Sequence, residues 1–181
     1  MLNDGHRRQL LSLARTTIES AFDGCFDVPE PAQVDEALDR PAGAFVTLRT
    51  RDGDLRGCIG SIHPREALYR AVVSGALSAA FRDPRFPPVE REELSHLHIE
   101  ISVMGPIERV TRADDVVIGR DGLIVSRGRS AGLLLPQVAT EYGWDCQTFL
   151  DQTCVKAGLR PGLWRDPATV IEKFSAEVFG E

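Results

Sequence analysis

Lysine is scarce in this chain. Its 181 residues include 21 basic ones, of which only Lys156 and Lys173 are lysines, against 27 acidic residues and a net charge of -6. Because a duplex-binding surface needs a dominant basic field, this balance argues against nucleic acid as the main partner. The arginine excess is typical of a GC-rich genome, although some arginines could grip a carboxylate in a bidentate manner, which lysine does poorly.

Cysteines and long apolar runs are also few. The cysteines are Cys25, Cys58, Cys146 and Cys154, with no Cys-x-x-Cys pair, so neither a disulfide framework nor a zinc knuckle is indicated. No stretch reaches the ~18 apolar residues of a membrane span. The N-terminal residues lack the uninterrupted apolar segment of a secretory signal. We therefore expect a cytoplasmic protein with reduced thiols and no membrane partner.

The rest of the sequence predicts an α+β fold in one domain or two small lobes. Clustered strands joined by hairpin turns favour a mainly antiparallel sheet with flanking helices. The helices are expected at 4–22, 34–38, 64–81, 136–142 and 144–157, with Pro64 in a first turn and a helical turn at 90–94; the strands are expected at 43–49, 55–60, 98–103, 116–118, 122–126, 132–135 and 173–179.

The segment Leu55–Gly60 (LRGCIG) is the best candidate for chemistry. Its glycines permit close approach of a ligand or of another backbone, and the guanidinium of Arg56 favours the nucleophilic thiolate of Cys58. On a strand these two side chains share one face, and Gly57 and Ile59 share the other. The alternative is a small buried cysteine in a tightly packed strand.

The histidines allow two further interpretations. His63 could fold back as a base for Cys58, although an exposed loop residue is the favoured interpretation. His96 and His98 would share a strand face with Glu100, as in a metal site, but the same spacing is typical of a solvent-facing strand. We favour the solvent-facing strand, and we expect no metal and no cofactor.

The loop Asp83–Pro88 (DPRFPP) is rigid because three prolines fix its backbone. It could hold Arg85 toward an anion of a substrate. Alternatively it is a structural clamp in which Asp83 caps a turn and Phe86 fills the core. The sequence leaves both open.

The hexamer LRGCIG resembles the hallmark of the AMMECR-domain family, whose prokaryotic branch is called AmmeMemoRadiSam system protein A. The resemblance runs in order through most of the chain, so we expect one such domain over 8–179 after a short extension at 1–7. It is carried by the segments 79–88, 99–103, 119–125, 132–138, 143–145 and 154–159, in addition to the hexamer.

The resemblance implies a larger lobe built from both chain ends, a smaller lobe, and a hexamer close to a cleft. It implies association with a Memo-like protein and a radical S-adenosylmethionine protein, without an established reaction. Two hypotheses follow. In the first, the chain is an enzyme in which Cys58 reacts while Arg56 and Arg85 hold an anionic substrate. In the second, it is a non-catalytic adaptor for those partners.

Overall fold

A computed structural model of the chain describes residues 2–24 and 35–181. These contain the helices and strands that follow: α1 (Asp4–Phe22), α2 (Glu36–Asp39), β1 (Ala44–Arg49), β2 (Leu55–Ser61), α3 (Leu68–Phe81), β3 (His98–Arg109), β4 (Asp121–Arg127), β5 (Ser130–Leu134), α4 (Pro136–Glu141), α5 (Cys146–Lys156) and β6 (Val170–Gly180). Three short 3-10 helices cover Arg91–His96, Ala113–Asp115 and Leu163–Arg165. The predicted α+β class is confirmed.

The strands form one antiparallel sheet in the order β2-β1-β3-β6-β4-β5. The chain divides into two compact units, the first made of Met1–Met104 and Glu177–Glu181 and the second of Gly105–Ala176. The expectation of a larger lobe from both chain ends and a smaller lobe is therefore confirmed. The proposed boundary at residue 8 stays a prediction, and α1 begins before it.

In the first unit α3 packs on β1 and β2, and α1 packs on α3. The apolar spacing of α1 buries seven of its residues, and Asn3 caps the helix by accepting the backbone N–H of His6 at 2.9 Å. Alternation along the strands turns one set of side chains toward the helices. The core of this unit includes Leu10, Ile18, Val46, Leu48, Leu68, Val72, Ile99 and Ile101.

Helix α3 begins later than the sequence predicts. Pro64 lies outside the helix, which starts at Leu68. The preceding residues are held by the chain segment after α2: the N–H of Ala42 donates to the carbonyl of Glu66, and the N–H of Leu68 donates to the carbonyl of Arg40. These long-range bonds, with an isolated β-bridge between Pro41 and Ala67, hold the residues before Leu68 outside the helix, so the first helical turn does not start at Pro64.

The second unit has its own core beneath α5. Its buried apolar residues are Val110, Val116, Leu123, Ala139, Phe149 and Leu150. The predicted strand at 116–118 is wrong. The N–H of Asp121 donates to the carbonyl of Val117, and the Asp121 carboxylate accepts the N–H of Val117 at 3.0 Å. This turn uses the backbone groups that a strand would pair.

The remaining differences are at element ends and at the edge of the described residues. The predicted helix at 34–38 begins at Val34, which lies outside the described residues, as does Cys25. The observed helix α2 is capped by Asp35. Within the described residues, no helix has the length and apolar character needed to cross a membrane.

Candidate functional site

Strand β2 places Cys58 on the sheet face opposite α3. A side chain at Gly57 would put its Cβ 2.2 Å from the carbonyl oxygen of Ala79 in α3, so only glycine lets this strand and helix come so close. Ile59, two residues further, packs on the core of the first unit. Cys58 lies between them and faces the other way.

The Cys58 thiol is half-buried and contacts the neighbouring strand. Thr47 is its direct cross-strand partner, and the Thr47 hydroxyl donates to Cys58 Sγ at 3.3 Å. Thr47 pairs on its other side with Glu100 of β3. Cys58, Thr47 and Glu100 therefore form a polar row across three strands. The hydroxyl fixes the sulfur and supplies a donor to negative charge on it.

Asp83 and Arg85 hold the backbone of Cys58. The Asp83 carboxylate is buried and accepts the Cys58 N–H at 2.9 Å, while Arg85 Nη2 donates to the Cys58 carbonyl at 3.2 Å. Arg85 also grips Asp83 through Nε at 2.9 Å and Nη2 at 2.7 Å. Since β2 is the first strand in the sheet order, this pair occupies the side of Cys58 that faces away from β1.

The electrostatics of this pair follow from the hydrogen bonds. The Arg85 side-chain bonds hold the pKa of Asp83 well below its usual range; the Cys58 and Arg85 N–H groups and the charge of Arg85 add to this, and burial opposes it. In return, the hydrogen bond and charge of Asp83 raise the pKa of Arg85. Both groups are ionised at neutral pH. Arg85 remains about half exposed, at 53% of its side-chain surface.

Arg56 lies in a network of its own. Its Nε and Nη2 donate to the two carboxylate oxygens of Glu93 at 2.7 and 2.9 Å. Its Nη1 and Nη2 donate to the carbonyls of Pro87 and Pro88. The Arg56 side chain is only 12% exposed, and its hydrogen bond lowers the pKa of Glu93 against the effect of burial. Arg56 therefore ties β2 to the proline loop.

The loop Asp83–Pro88 has features of a structural clamp and also leaves Arg85 available to an anion. Asp83 caps a turn, since its carboxylate accepts the Arg85 N–H at 3.1 Å and its carbonyl accepts the N–H of Phe86. Phe86 is only half-buried, whereas Val89 is 3% exposed and packs in the core. The clamp is thus closed by Val89 instead of the expected Phe86, and Arg85 still reaches solvent.

No histidine of the described residues forms a hydrogen bond with Cys58, whose partners are Thr47, Asp83 and Arg85. His63 is exposed and lines a cavity of about 260 Å³ with Gly60 and Ser61, a cavity that Cys58 does not line. His96 belongs to the 3-10 helix before β3, so the prediction that it shares a strand face with His98 is wrong. Among residues 2–24 and 35–181, no group of three or more metal-ligating side chains comes together.

Comparison with known proteins identifies the family. The family model described as AMMECR1 matches residues 11–179. The chain belongs to the AMMECR1 family. A protein of Methanothermobacter thermautotrophicus is 45% identical over 96% of this chain and 93% of its own length. One from Nanoarchaeum equitans is 40% identical over 95% and 98%. The crystal structure of an uncharacterized protein from Pyrococcus horikoshii, 42% identical, superposes with a TM-score of 0.86 and covers 95% of this chain and 89% of that one.

The sequence does not predict two contacts of the AMMECR1 hexamer: the hydrogen bond of Thr47 to Cys58 Sγ and the ion pair of Glu93 with Arg56. The hairpin turn after β1 gives a starting register for Thr47, but a register shift between Leu48 and Arg49 moves the pairing by one residue. Counting from the turn without this bulge would place Gly57, not Cys58, opposite Thr47. Nothing in the sequence pairs Glu93 with Arg56, because the two are 37 residues apart.

Proposed function

We propose that the chain is an enzyme whose reacting group is the Cys58 thiol and whose substrate is anionic. The observation that carries this proposal is the thiol's fixed position, with the Thr47 hydroxyl on the sulfur and with Asp83 and Arg85 on its backbone. A nucleophile held in one geometry reacts faster than a mobile one, because orientation has been achieved in advance.

Arg85 is the candidate for binding the substrate. Its Nε and Nη2 donate to Asp83 and the Cys58 carbonyl, whereas its Nη1 bonds to no other described residue and the side chain is about half exposed. Nη1 can therefore donate to a carboxylate or phosphate close to the thiol. Arg56 adds a second positive charge near Cys58, while its donors hold Glu93 and the proline loop. We assign Arg85 the direct contact and Arg56 mainly the positioning of that loop.

In the proposed reaction, Cys58 acts as a nucleophile or as the acceptor of a transferred group. The thiol proton leaves to solvent, and the thiolate forms a bond to the electrophilic atom of the substrate. The bond between that atom and its leaving group breaks, and the electron pair departs with the leaving group. The Thr47 donor stabilises the negative charge on sulfur before the attack, and Arg85 stabilises the charge of the substrate.

Alkylation with iodoacetamide at about pH 8, read by peptide mass spectrometry, tests the proposal. We expect Cys58 of the folded protein to react much faster than Cys154, which is fully buried and whose pKa is raised by burial. Thr47→Val and Arg85→Gln should slow Cys58, and Arg51→Gln in the hairpin turn should not. If folded Cys58 stays unmodified while denatured Cys58 reacts fully, the reactive-thiol proposal is lost.

A second candidate function is a non-catalytic adaptor for a Memo-like protein and a radical S-adenosylmethionine protein. The observation that favours it is the proline loop, in which Pro84, Arg85, Pro87 and Pro88 are exposed while Arg56 and Asp83 fix its shape. A rigid exposed loop loses little entropy on binding. Both candidate functions would operate in the cytoplasm with reduced thiols.

Co-purification with each purified partner at micromolar concentration separates the two functions. The adaptor predicts a stable complex that survives Cys58→Ala and is weakened by Arg85→Gln. The enzyme predicts loss of turnover in Cys58→Ala whether or not a complex forms. Absence of any complex with either partner would remove the adaptor.

A further inference from the structure

The second unit contains a polar cavity of about 290 Å³ that the proposed function does not use. Residues of β3, β4 and β6 line it, together with the turn before β4. The side chains that matter are Glu108, Arg120, Asp121, Lys173 and Ser175. Arg120 and Asp121 belong to a segment that carries the family resemblance, and neither contacts Cys58.

Asp121 is buried in the wall of this cavity and is fully engaged. Arg120 donates to its two oxygens from Nε at 2.7 Å and Nη2 at 2.9 Å. The N–H of Val117 adds a third hydrogen bond at 3.0 Å, and the ammonium of Lys173 lies 3.8 Å away. Burial works to raise the pKa of Asp121, but these hydrogen bonds and charges outweigh it and lower the pKa. The carboxylate is therefore ionised.

Two cations thus flank one buried anion, and their donors are not exhausted. Arg120 uses its Nε and Nη2 on Asp121, and its side chain is 58% exposed, with Nη1 bound to no other described residue. Lys173 donates to the carbonyl of Asp115 at 2.8 Å, which leaves further N–H donors on its ammonium. Glu108 also lines the cavity and its charge acts on Arg120, so the charges of the four side chains balance, and it is the remaining donors of Arg120 and Lys173 that can bind an anion.

Ser175 adds a hydroxyl to the cavity lining, beside Asp121. It is the direct cross-strand partner of Asp121 and is exposed. Gly105 faces it, and a Cβ on Gly105 would lie 2.2 Å from Ser175 Oγ. The missing side chain at Gly105 is what leaves room for this hydroxyl beside the cavity.

We propose that this cavity binds the anionic oxygen group of a small molecule, a carboxylate or a phosphate, between Arg120, Lys173 and Ser175. Oxyanions of this kind pair with guanidinium and ammonium donors. Glu108 on the exposed rim can only accept hydrogen bonds when ionised. The ligand therefore carries an N–H or O–H donor beside its anionic group. Its donor bonds to Glu108, and its anionic group bonds to Arg120, Lys173 and Ser175.

Titration of the full chain with inorganic phosphate and, separately, with acetate tests the proposal at constant ionic strength. Backbone amide NMR shifts report the site, and we expect saturable shifts at Gly122 and Ser175. Lys173→Gln should weaken binding about tenfold and Ser175→Ala about threefold, because each removes one donor to the anion. Tighter phosphate binding identifies a phosphate ligand, and tighter acetate binding identifies a carboxylate.

Arg112→Gln is the matched control, because Arg112 is an exposed arginine of the same unit that lies outside the cavity and is 3.6 Å from Asp114. It should bind both probes as the unmodified chain does. The proposal is overturned if neither probe gives saturable shifts at Gly122 and Ser175, or if Ser175→Ala binds as tightly as the unmodified chain. Circular dichroism checks the fold of each variant, and Ser175→Ala decides alone if Lys173→Gln does not fold.

Discussion

Asp83 and Cys58 are joined by a 2.9 Å hydrogen bond in which the backbone N–H of the cysteine donates to the carboxylate. The carboxylate thus occupies the place where a neighbouring strand would offer a carbonyl. Arg85 completes the substitution by donating to the Cys58 carbonyl. One ion pair therefore replaces a strand at the position of the candidate nucleophile.

Replacing this carboxylate should destabilise the fold. Asp83→Asn keeps the size of the side chain but removes its charge and one of the two acceptor oxygens that bind Cys58 and Arg85. We expect the free energy of unfolding to fall by about 2–3 kcal/mol. Urea unfolding measures it, with Asp52→Asn in the exposed hairpin turn as the control. An equal effect of both substitutions would contradict the role given to Asp83.

The same residue should make stability depend on pH. The pKa of Asp83 is lower in the folded chain than its unfolded value of about 3.9. Its contribution is therefore complete above about pH 4 and is lost as the pH falls toward the folded pKa. The difference in unfolding free energy between the unmodified chain and Asp83→Asn should shrink from about pH 4 to about pH 2. If the difference stays constant over this range, Asp83 is not the source of the pH dependence of stability.

Arg56→Lys tests whether a bidentate fork is needed. Lysine keeps the charge but cannot contact both oxygens of Glu93 and the two proline carbonyls together. We expect a loss of about 1–3 kcal/mol in unfolding free energy, with Arg51→Lys near zero. If Arg56→Lys is as stable as the unmodified chain, a positive charge alone suffices at this position, and the positioning role given to the bidentate fork of Arg56 is contradicted.

Gly57→Ala tests the close approach of β2 and α3. The new methyl group would overlap the backbone carbonyl of Ala79, which cannot rotate away as a side chain can. We expect a loss of about 3 kcal/mol or more, measured by thermal and urea unfolding. Ser74→Ala, on an exposed position of α3, should be close to neutral. Similar stability of the two variants would contradict this packing.

Local patterns predicted most of the fold, because they are short-range. The apolar spacing of α1 predicts its bounds, and the alternation after Leu97 predicts the first half of β3, residues 98–103. The start of α3 and the turn at Val117 depend on hydrogen bonds from distant segments, which spacing does not contain. In the site, the facing of Cys58 followed from alternation, whereas Thr47 depended on a bulge and Glu93 on a tertiary contact.

The first unit takes its final strand segment from beyond the second. Arg15 of α1 forms an ion pair with Glu181, and the Glu181 N–H donates to the carbonyl of Ile99. On the ribosome these partners are separated in time by the whole of Gly105–Ala176, on the order of 4–14 s at about 5–20 residues per second. Until then, the Ile99 carbonyl of β3 lacks its hydrogen-bond partner Glu181. The larger unit is therefore completed only after the smaller one has been synthesised.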